Sequence, residues 1–309
     1  MIKTDKTAIL MASYQGERYL REQLDSILAQ TYTEWELFVH DDGSTDHTCS
    51  ILDEYEAEYP DRIHVIRTDP CGGALKNYFY LMKSVEAPYV MFCDQDDVWL
   101  REKIENTVDK MKEMEGQFGS ETPLLVHSDL TVVDKSLNVI SESFFRYQHL
   151  RSERNNFSEL LVQNIITGCT AMINRSLCEL VSVDINVENL IMHDWWCALV
   201  AAYFGKIGKV DGSILYRQHG GNAMGARKMD GLSNLHRFFS EKEEMKASIE
   251  ATRRQSGEFA RAYGLGKASL AYRYSRIYER SKLNRLAFYL KNNIRKTTVA
   301  RAVGFAIFG

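Results

Sequence analysis

Along the first hundred residues, short runs of contiguous apolar residues alternate with stretches whose apolar positions recur every three or four. Ala8-Ile9-Leu10-Met11-Ala12 is a run suited to a strand buried on both faces. Leu20, Leu24, Ile27 and Leu28 follow at the spacing of one helix face. The alternation repeats three more times. Strands are predicted over 36–40, 63–66 and 89–93, with helices carrying Ile51, Leu52, Tyr55 and Tyr59, then Leu75, Phe79, Met82 and Val85, then Leu100–Met114. Ser44 or Thr45 is placed to cap the second of these helices. Strands alternating with helices predict an α/β fold with right-handed crossovers, a mostly parallel sheet covered on both faces.

Ligands of such sheets sit beyond the carboxyl ends of the strands. Three polar segments fall there: Ser13-Tyr14-Gln15-Gly16-Glu17, Asp41-Asp42-Gly43-Ser44-Thr45-Asp46 and Asp94-Gln95-Asp96-Asp97. The second half is less regular. Leu124–His127, Thr131–Val133, Cys169–Ile173 and Ser213–Gln218 read as strands, and Phe157–Asn164 and Trp195–Phe204 as helices. From about Leu232 the pattern is helical, charged and then basic. The expected organisation is an α/β domain over 1–230 and a C-terminal helical, basic appendage over 231–309.

The chain has 309 residues, enough for one large core with an appendage. Met1–Thr7 is polar and does not read as a signal peptide. The longest apolar stretches, Cys197–Phe204 and Ala302–Gly309, fall short of a membrane span. The six cysteines show no C-x-x-C pair and read as buried free thiols of a reducing cytosol rather than a metal or redox set. Charge is polarised. Residues 265–309 hold ten Lys/Arg against one acid, Glu279, so this segment is +9 in a chain of net −4 and the remainder is −13. An acidic body argues against nucleic acid as a partner.

Three carboxylates within Asp94–Asp97 repel one another unless a cation or a network compensates. Mn²⁺ and Mg²⁺ take oxygen ligands and bridge to substrate phosphates, so a carboxylate pair at a strand end suits a metal–diphosphate unit. The plainer alternative is an acidic turn at the start of the next helix. Asp41–Asp46 reads equally as a turn with a cap and as a carboxylate for a base or ribose. Asp194, in His193-Asp194-Trp195-Trp196, is either an N-cap or a general base in a dry, aromatic-walled pocket. His219, before Gly220 and Gly221, is either structural or a metal ligand on a loop of close approach.

Taken together, Ala12–Gly16, Gln30-Thr31-Tyr32, Asp41–Asp46, Asp94-Gln95-Asp96-Asp97-Val98-Trp99 and His193-Asp194-Trp195 resemble the family 2 glycosyltransferases, in that family's order, over about residues 5–225. Asp94–Trp99, Met192–Trp195 and Leu215–His219 look most like its bacterial rhamnosyltransferases, in particular those that build rhamnose-rich cell-wall polysaccharide. The resemblance implies the GT-A fold, an inverting transfer, a Mn²⁺ or Mg²⁺ cofactor, a nucleotide-sugar donor (dTDP-rhamnose) and a lipid-linked saccharide acceptor. It also implies roles. Ser13, Tyr14 and Glu17 would line the nucleotide loop, Asp42 the pyrimidine base, and Lys76, Asp94 and Trp99 the nucleotide-sugar. Asp96 and His219 would meet the metal, Asp194 would be the base, and Asp97 would cap the next helix. Pro70-Cys71-Gly72-Gly73 departs from the Asn-Leu-Gly stretch common before the Lys76 position.

The basic tail suits such an acceptor. It can lie on the inner face of a membrane from the cytoplasmic side, each cation adding about 1 kcal/mol near an anionic surface. The alternative is a helix that covers the core or a homo-oligomer interface. Among other classes, a UDP-hexose or N-acetylhexosamine transferase shares every motif, while a non-catalytic nucleotide-sugar binder would lack Asp194 or Asp96. A nucleotidyltransferase would carry a Gly-rich, basic phosphate loop where Ser13–Glu17 stands, and a dehydrogenase a G-x-G-x-x-G.

Overall fold

The structure is a computed structural model that describes residues 1–219, 235–297 and 305, with backbone alone for 235–242. Its centre is a seven-stranded sheet made of β1 (Thr7–Ser13), β2 (Trp35–Asp41), β3 (Ile63–Val65), β4 (Tyr89–Cys93), β6 (Leu124–Ser128), β9 (Met172–Asn174) and β10 (Lys206–Val210). The spatial order is β10-β6-β9-β4-β1-β2-β3, and all neighbours are parallel except β9, which is antiparallel to both β4 and β6. A second sheet, in the order β8-β7-β11-β5, combines β5 (Val98–Trp99), β7 (Thr131–Val133), β8 (Val139–Ser141) and β11 (Ile214–Arg217).

Because successive strand residues point to opposite faces, the apolar runs feed two cores at once. Ile9, Met11, Leu37, Val39 and Met91 pack on one face under α1 (Leu20–Leu28), α2 (Thr48–Glu58) and α4 (Lys103–Phe118). Ala8, Leu10, Phe38, Val90 and Phe92 pack on the other, under α3 (Ala74–Ser84), α5 (Arg175–Val181) and α6 (His193–Phe204). The same second cluster takes in Phe259 of α7 (Leu235–Ala262), Tyr274 of α8 (Leu270–Ser275) and Phe288 and Tyr289 of α9 (Lys282–Lys291). The C-terminal helices are therefore joined to the sheet layer by shared apolar contacts.

Several expectations shift. The helix read from Leu100 begins at Lys103 and runs to Phe118, and its Ile104 amide donates to Gln30 Oε1 at 3.1 Å. Neither Ser44 nor Thr45 caps α2, whose first amide, Thr48 N, is held instead by Asp46 Oδ1 at 3.0 Å. The strand read from Cys169 starts at Met172, because Gly168–Thr170 turns as a single 3₁₀ segment before it. Strand β10 and helix α5 were not anticipated. Lys206-Ile207-Gly208-Lys209-Val210 is an edge strand with exposed lysines and lacks an apolar run.

Candidate active site

The loops after β1 and β2 are stitched to each other by side chains. Ser13 Oγ donates to Asp41 Oδ2 at 2.9 Å, and Gly16 N donates to Thr48 Oγ1 at 2.7 Å. Glu17 Oε2 accepts from His47 N at 2.9 Å. The side chains of Ser13 and Glu17 are thus engaged in joining loops, while the Tyr14 ring stands 56% exposed. Gln95 brings in the third loop. Its amide accepts from Tyr14 N at 2.9 Å and donates to Tyr14 O at 2.8 Å. A Cβ on Gly16 would lie 2.4 Å from Gln95 Oε1, so this approach requires glycine. The polar segments at three strand ends do converge.

Asp42 faces the segment that departs from the family pattern. Its Oδ1 accepts from Cys71 N and Gly72 N at 2.5 and 2.9 Å, and its Oδ2 from Gly73 N at 2.5 Å. Gly72 and Gly73 have φ of +83° and +116°, a backbone region that favours glycine. Pro70–Gly73 is therefore a cradle of amides around a carboxylate. Lys76, three residues on, forms an exposed ion pair with Glu188 at 2.6 Å.

Asp94–Asp97 leave the end of β4. Tyr78 Oη lies 3.0 Å from Asp94 Oδ1 and 2.8 Å from Cys93 O and shares its proton between them. Burial, then the charge of Asp96, raises the Asp94 carboxyl to about 6. Asp96 Oδ2 sits 2.7 Å from His219 Nε2. Asp97 is fully buried and is no helix cap: its Oδ1 accepts from Arg217 N at 3.1 Å, and α4 has no side-chain cap at its N-terminus. Its Oδ2 has no hydrogen-bond partner among the described residues. Burial and its acidic neighbours hold the Asp97 carboxyl well above the usual range. Ligand atoms of Asp94, Asp97 and Cys169 all lie within 4.8 Å of one another.

Two cations counter this acidity. Arg217, 1% exposed, donates from Nε to Asp96 O (2.9 Å), from Nη1 to Lys135 O (2.8 Å) and from Nη2 to Glu22 Oε2 (2.7 Å), and its guanidinium lies 4.4 Å from the Tyr19 ring centre. Lys103, equally buried, places Nζ 4.2 Å from the Trp99 ring centre, and burial lowers its ammonium to about 8. Neither residue was given a role from sequence, although Arg217 lies within the Leu215–His219 segment that carried the resemblance. Trp99 is 2% exposed, with its ring in the apolar core against Lys103.

Asp194 lies in the first turn of α6. Its Oδ1 accepts from Trp195 N at 2.5 Å and Asn164 Nδ2 at 3.2 Å. Burial raises its carboxyl to about 7 against those bonds, and the charge of Asp94 adds to the rise. Tyr78, which bonds Asp94, packs on His193, the residue before Asp194, so α6 begins next to the β4 turn. Its neighbour His193 is buried between Tyr78 and Phe92, with ring centres 3.9 and 4.7 Å away. Neither His193 nitrogen has a partner among the described residues, and burial lowers the imidazole to about 3, so it is neutral. A Cβ on Gly168 would lie 2.8 Å from His193 Nε2. Gly220 and Gly221 lie outside the described residues.

The donor set fits a hard divalent cation. Carboxylate oxygens of Asp94 and Asp97 converge there with the Cys169 thiol, and Asp96, on the same turn, makes its own 2.7 Å contact with His219. Cys169 adds a thiol that burial keeps protonated, so the hard oxygens dominate the site.

The sequence profile of glycosyl transferase family 2 matches residues 8–181, which hold the sheet from β1 through β9. The chain belongs to glycosyl transferase family 2. It is 30% identical over 229 residues to the dTDP-rhamnosyl transferase RfbG of Shigella flexneri, covering 70% of this chain and 74% of that one. Its fold is that of the GT-A glycosyltransferases. The Staphylococcus aureus protein TarS, solved with UDP-GlcNAc, superposes with a TM-score of 0.57 at 16% identity over 98% of this chain and 90% of that one. The mannosyltransferase PcManGT of Pyrobaculum calidifontis, solved with GDP-Man and Mn²⁺, gives a TM-score of 0.55 at 16% identity over 93% and 73%.

Proposed function

We propose that this glycosyltransferase is an inverting, divalent-metal-dependent enzyme that moves L-rhamnose from dTDP-rhamnose onto a lipid-linked or growing cell-surface polysaccharide, working from the cytoplasmic face of the membrane. The observation that carries the inverting reading is Asp194, a buried carboxylate raised to about 7 beside the β4 acids. A base poised near the working pH is what a single displacement needs. The acceptor hydroxyl gives its proton to Asp194, its oxygen bonds to the anomeric carbon, and the bond from that carbon to the diphosphate breaks. Mn²⁺ or Mg²⁺ held by Asp96 and His219, with Asp94 and Asp97 close by, would supply charge neutralisation for the departing nucleoside diphosphate.

The remaining roles belong to the chain. Neutral His193, walled by Tyr78 and Phe92, keeps water and a second charge away from Asp194. Ser13, Tyr14, Glu17 and Asp42 form the joined rim that receives the nucleotide, and the Lys76–Glu188 pair stands at that rim. The catalytic unit is assigned to 1–230, with 231–309 as its helical appendage.

The rhamnose assignment rests on the similarity to RfbG. A UDP-hexose or N-acetylhexosamine donor is the second reading, favoured by the UDP-GlcNAc bound to TarS. A donor screen decides between them. Purified protein is incubated with dTDP-rhamnose or a panel of UDP-sugars, with Mn²⁺ or Mg²⁺, and released nucleotide is measured. Release from dTDP-rhamnose that stops on chelation supports the assignment. Release from a UDP-sugar alone overturns the donor, and release from none overturns the enzyme.

A further inference from the structure

Helix α9 is apolar on two opposite sides. One side buries Phe288 and Tyr289, 3% and 4% exposed, in the core. The other presents Leu283, Leu286 and Leu290, which are 82%, 41% and 75% exposed, with exposed Ala287 among them. At about 100° per residue these four positions fall within an arc of about 100°. Lys282 and Lys291, both exposed, border that arc, one on each side. A helix that has already buried one face ordinarily leaves the opposite face polar. Three adjacent exposed leucines mark a surface made for a partner.

We infer that the Leu283–Leu286–Leu290 face of α9 is the surface by which this protein docks on an anionic membrane. The leucines enter the boundary between headgroups and acyl chains, and Lys282 and Lys291 reach the lipid phosphates. Charge selects this occupant over a second copy of the chain. The face lies in the +9 segment, where the one acid, Glu279, already pairs with Arg276. Two such faces brought together would oppose like charges, whereas an anionic leaflet complements them. Ten residues span about 15 Å, which suits lying in the interface. Among the described residues no helix is long and apolar enough to cross a membrane. The inference rests on the reading that the acceptor is lipid-linked, and it adds the surface that would bring the site to it.

The test is flotation of the full chain with vesicles of phosphatidylcholine alone or of phosphatidylcholine with phosphatidylglycerol. The wild type is expected to float with the anionic vesicles only. Leu283→Glu with Leu290→Glu is expected to lower the partition coefficient at least about tenfold. Lys282→Gln with Lys291→Gln is expected to remove most of the preference for phosphatidylglycerol. All positions changed are exposed, so thermal unfolding and nucleotide release in solution should match the wild type. Leucine variants that float like the wild type would sink the proposal. So would a wild type that stays with the aqueous phase and sediments as a dimer that the leucine variant dissociates. Normal flotation without nucleotide release from any donor would instead defeat the catalytic reading and leave the docking surface standing.

Discussion

Asp194 is the side chain on which the proposed chemistry turns, and its environment sets a signed expectation. A base raised to about 7 is mostly protonated at pH 6, so kcat/KM should rise with pH through an apparent value near 7. Asp194→Asn should abolish that limb and lower kcat about 10²–10⁴-fold while donor affinity by calorimetry stays within a few-fold. A variant that keeps the limb would remove Asp194 from the base role. Stability runs the other way. Asp94 and Asp194 are raised on folding to about 6 and about 7, so the folded chain binds more protons than the unfolded one between about 4 and 7, and Asp97, raised by burial, acts in the same direction. Metal-free protein should therefore lose thermal stability as pH rises through that window, and Mn²⁺ at pH 8 should restore part of it. Gly168 makes a separate residue-scale case. The imidazole beside it is a buried ring wedged between Tyr78 and Phe92, so Gly168→Ala should cost about 1–3 kcal/mol in urea unfolding and reduce kcat by displacing Asp194.

Among the elements, β11 has the largest effect on the site. Arg217 at its end binds the turn after β4, the loop after β7 and helix α1, and two residues further His219 meets Asp96. Arg217→Lys cannot reproduce a planar fork to three acceptors. It should cost about 3–5 kcal/mol and weaken Mn²⁺ affinity in a titration, with Glu22→Gln showing a smaller loss because Glu22 is half exposed. The sequence made the left half of this picture legible and the right half less so. β1, β2 and β4 carry apolar runs that lead into Ser13, Asp41 and Asp94, and parallel strands buried on both faces leave that signal. β5 is two residues long, β10 is a lysine-bearing edge, and α5 is short, so none carries a periodicity to read. Asp194 and the β4 acids could be found because carboxylates in an apolar setting are conspicuous. Arg217 and Lys103 could not, because only the fold reveals that these cations are buried.

At the scale of the molecule, the C-terminal helices complete the core as well as extending from it. Phe259 is fully buried against Trp196, Tyr203, Phe204 and Tyr263, so Phe259→Ala should destabilise the whole chain by about 3–5 kcal/mol in a single cooperative transition. Separate loss of a C-terminal transition, with the sheet unmoved, would show that the appendage folds independently. Cutting the chain near Gly264 would also strip Tyr274 and Phe288 from their cluster, which is why surface substitutions on α9 give the cleaner test of docking. The Arg217 clamp has a consequence in time as well as in space. It joins residues 195 positions apart, and the Asp96–His219 contact joins residues 123 apart. On a ribosome, the strands from β1 to β4 can pair long before β11 emerges. The acidic turn is thus made early and acquires its arginine and histidine late. The nascent chain passes through a stage with a sheet but no finished ion site, and in refolding experiments cation binding should lag the recovery of backbone structure.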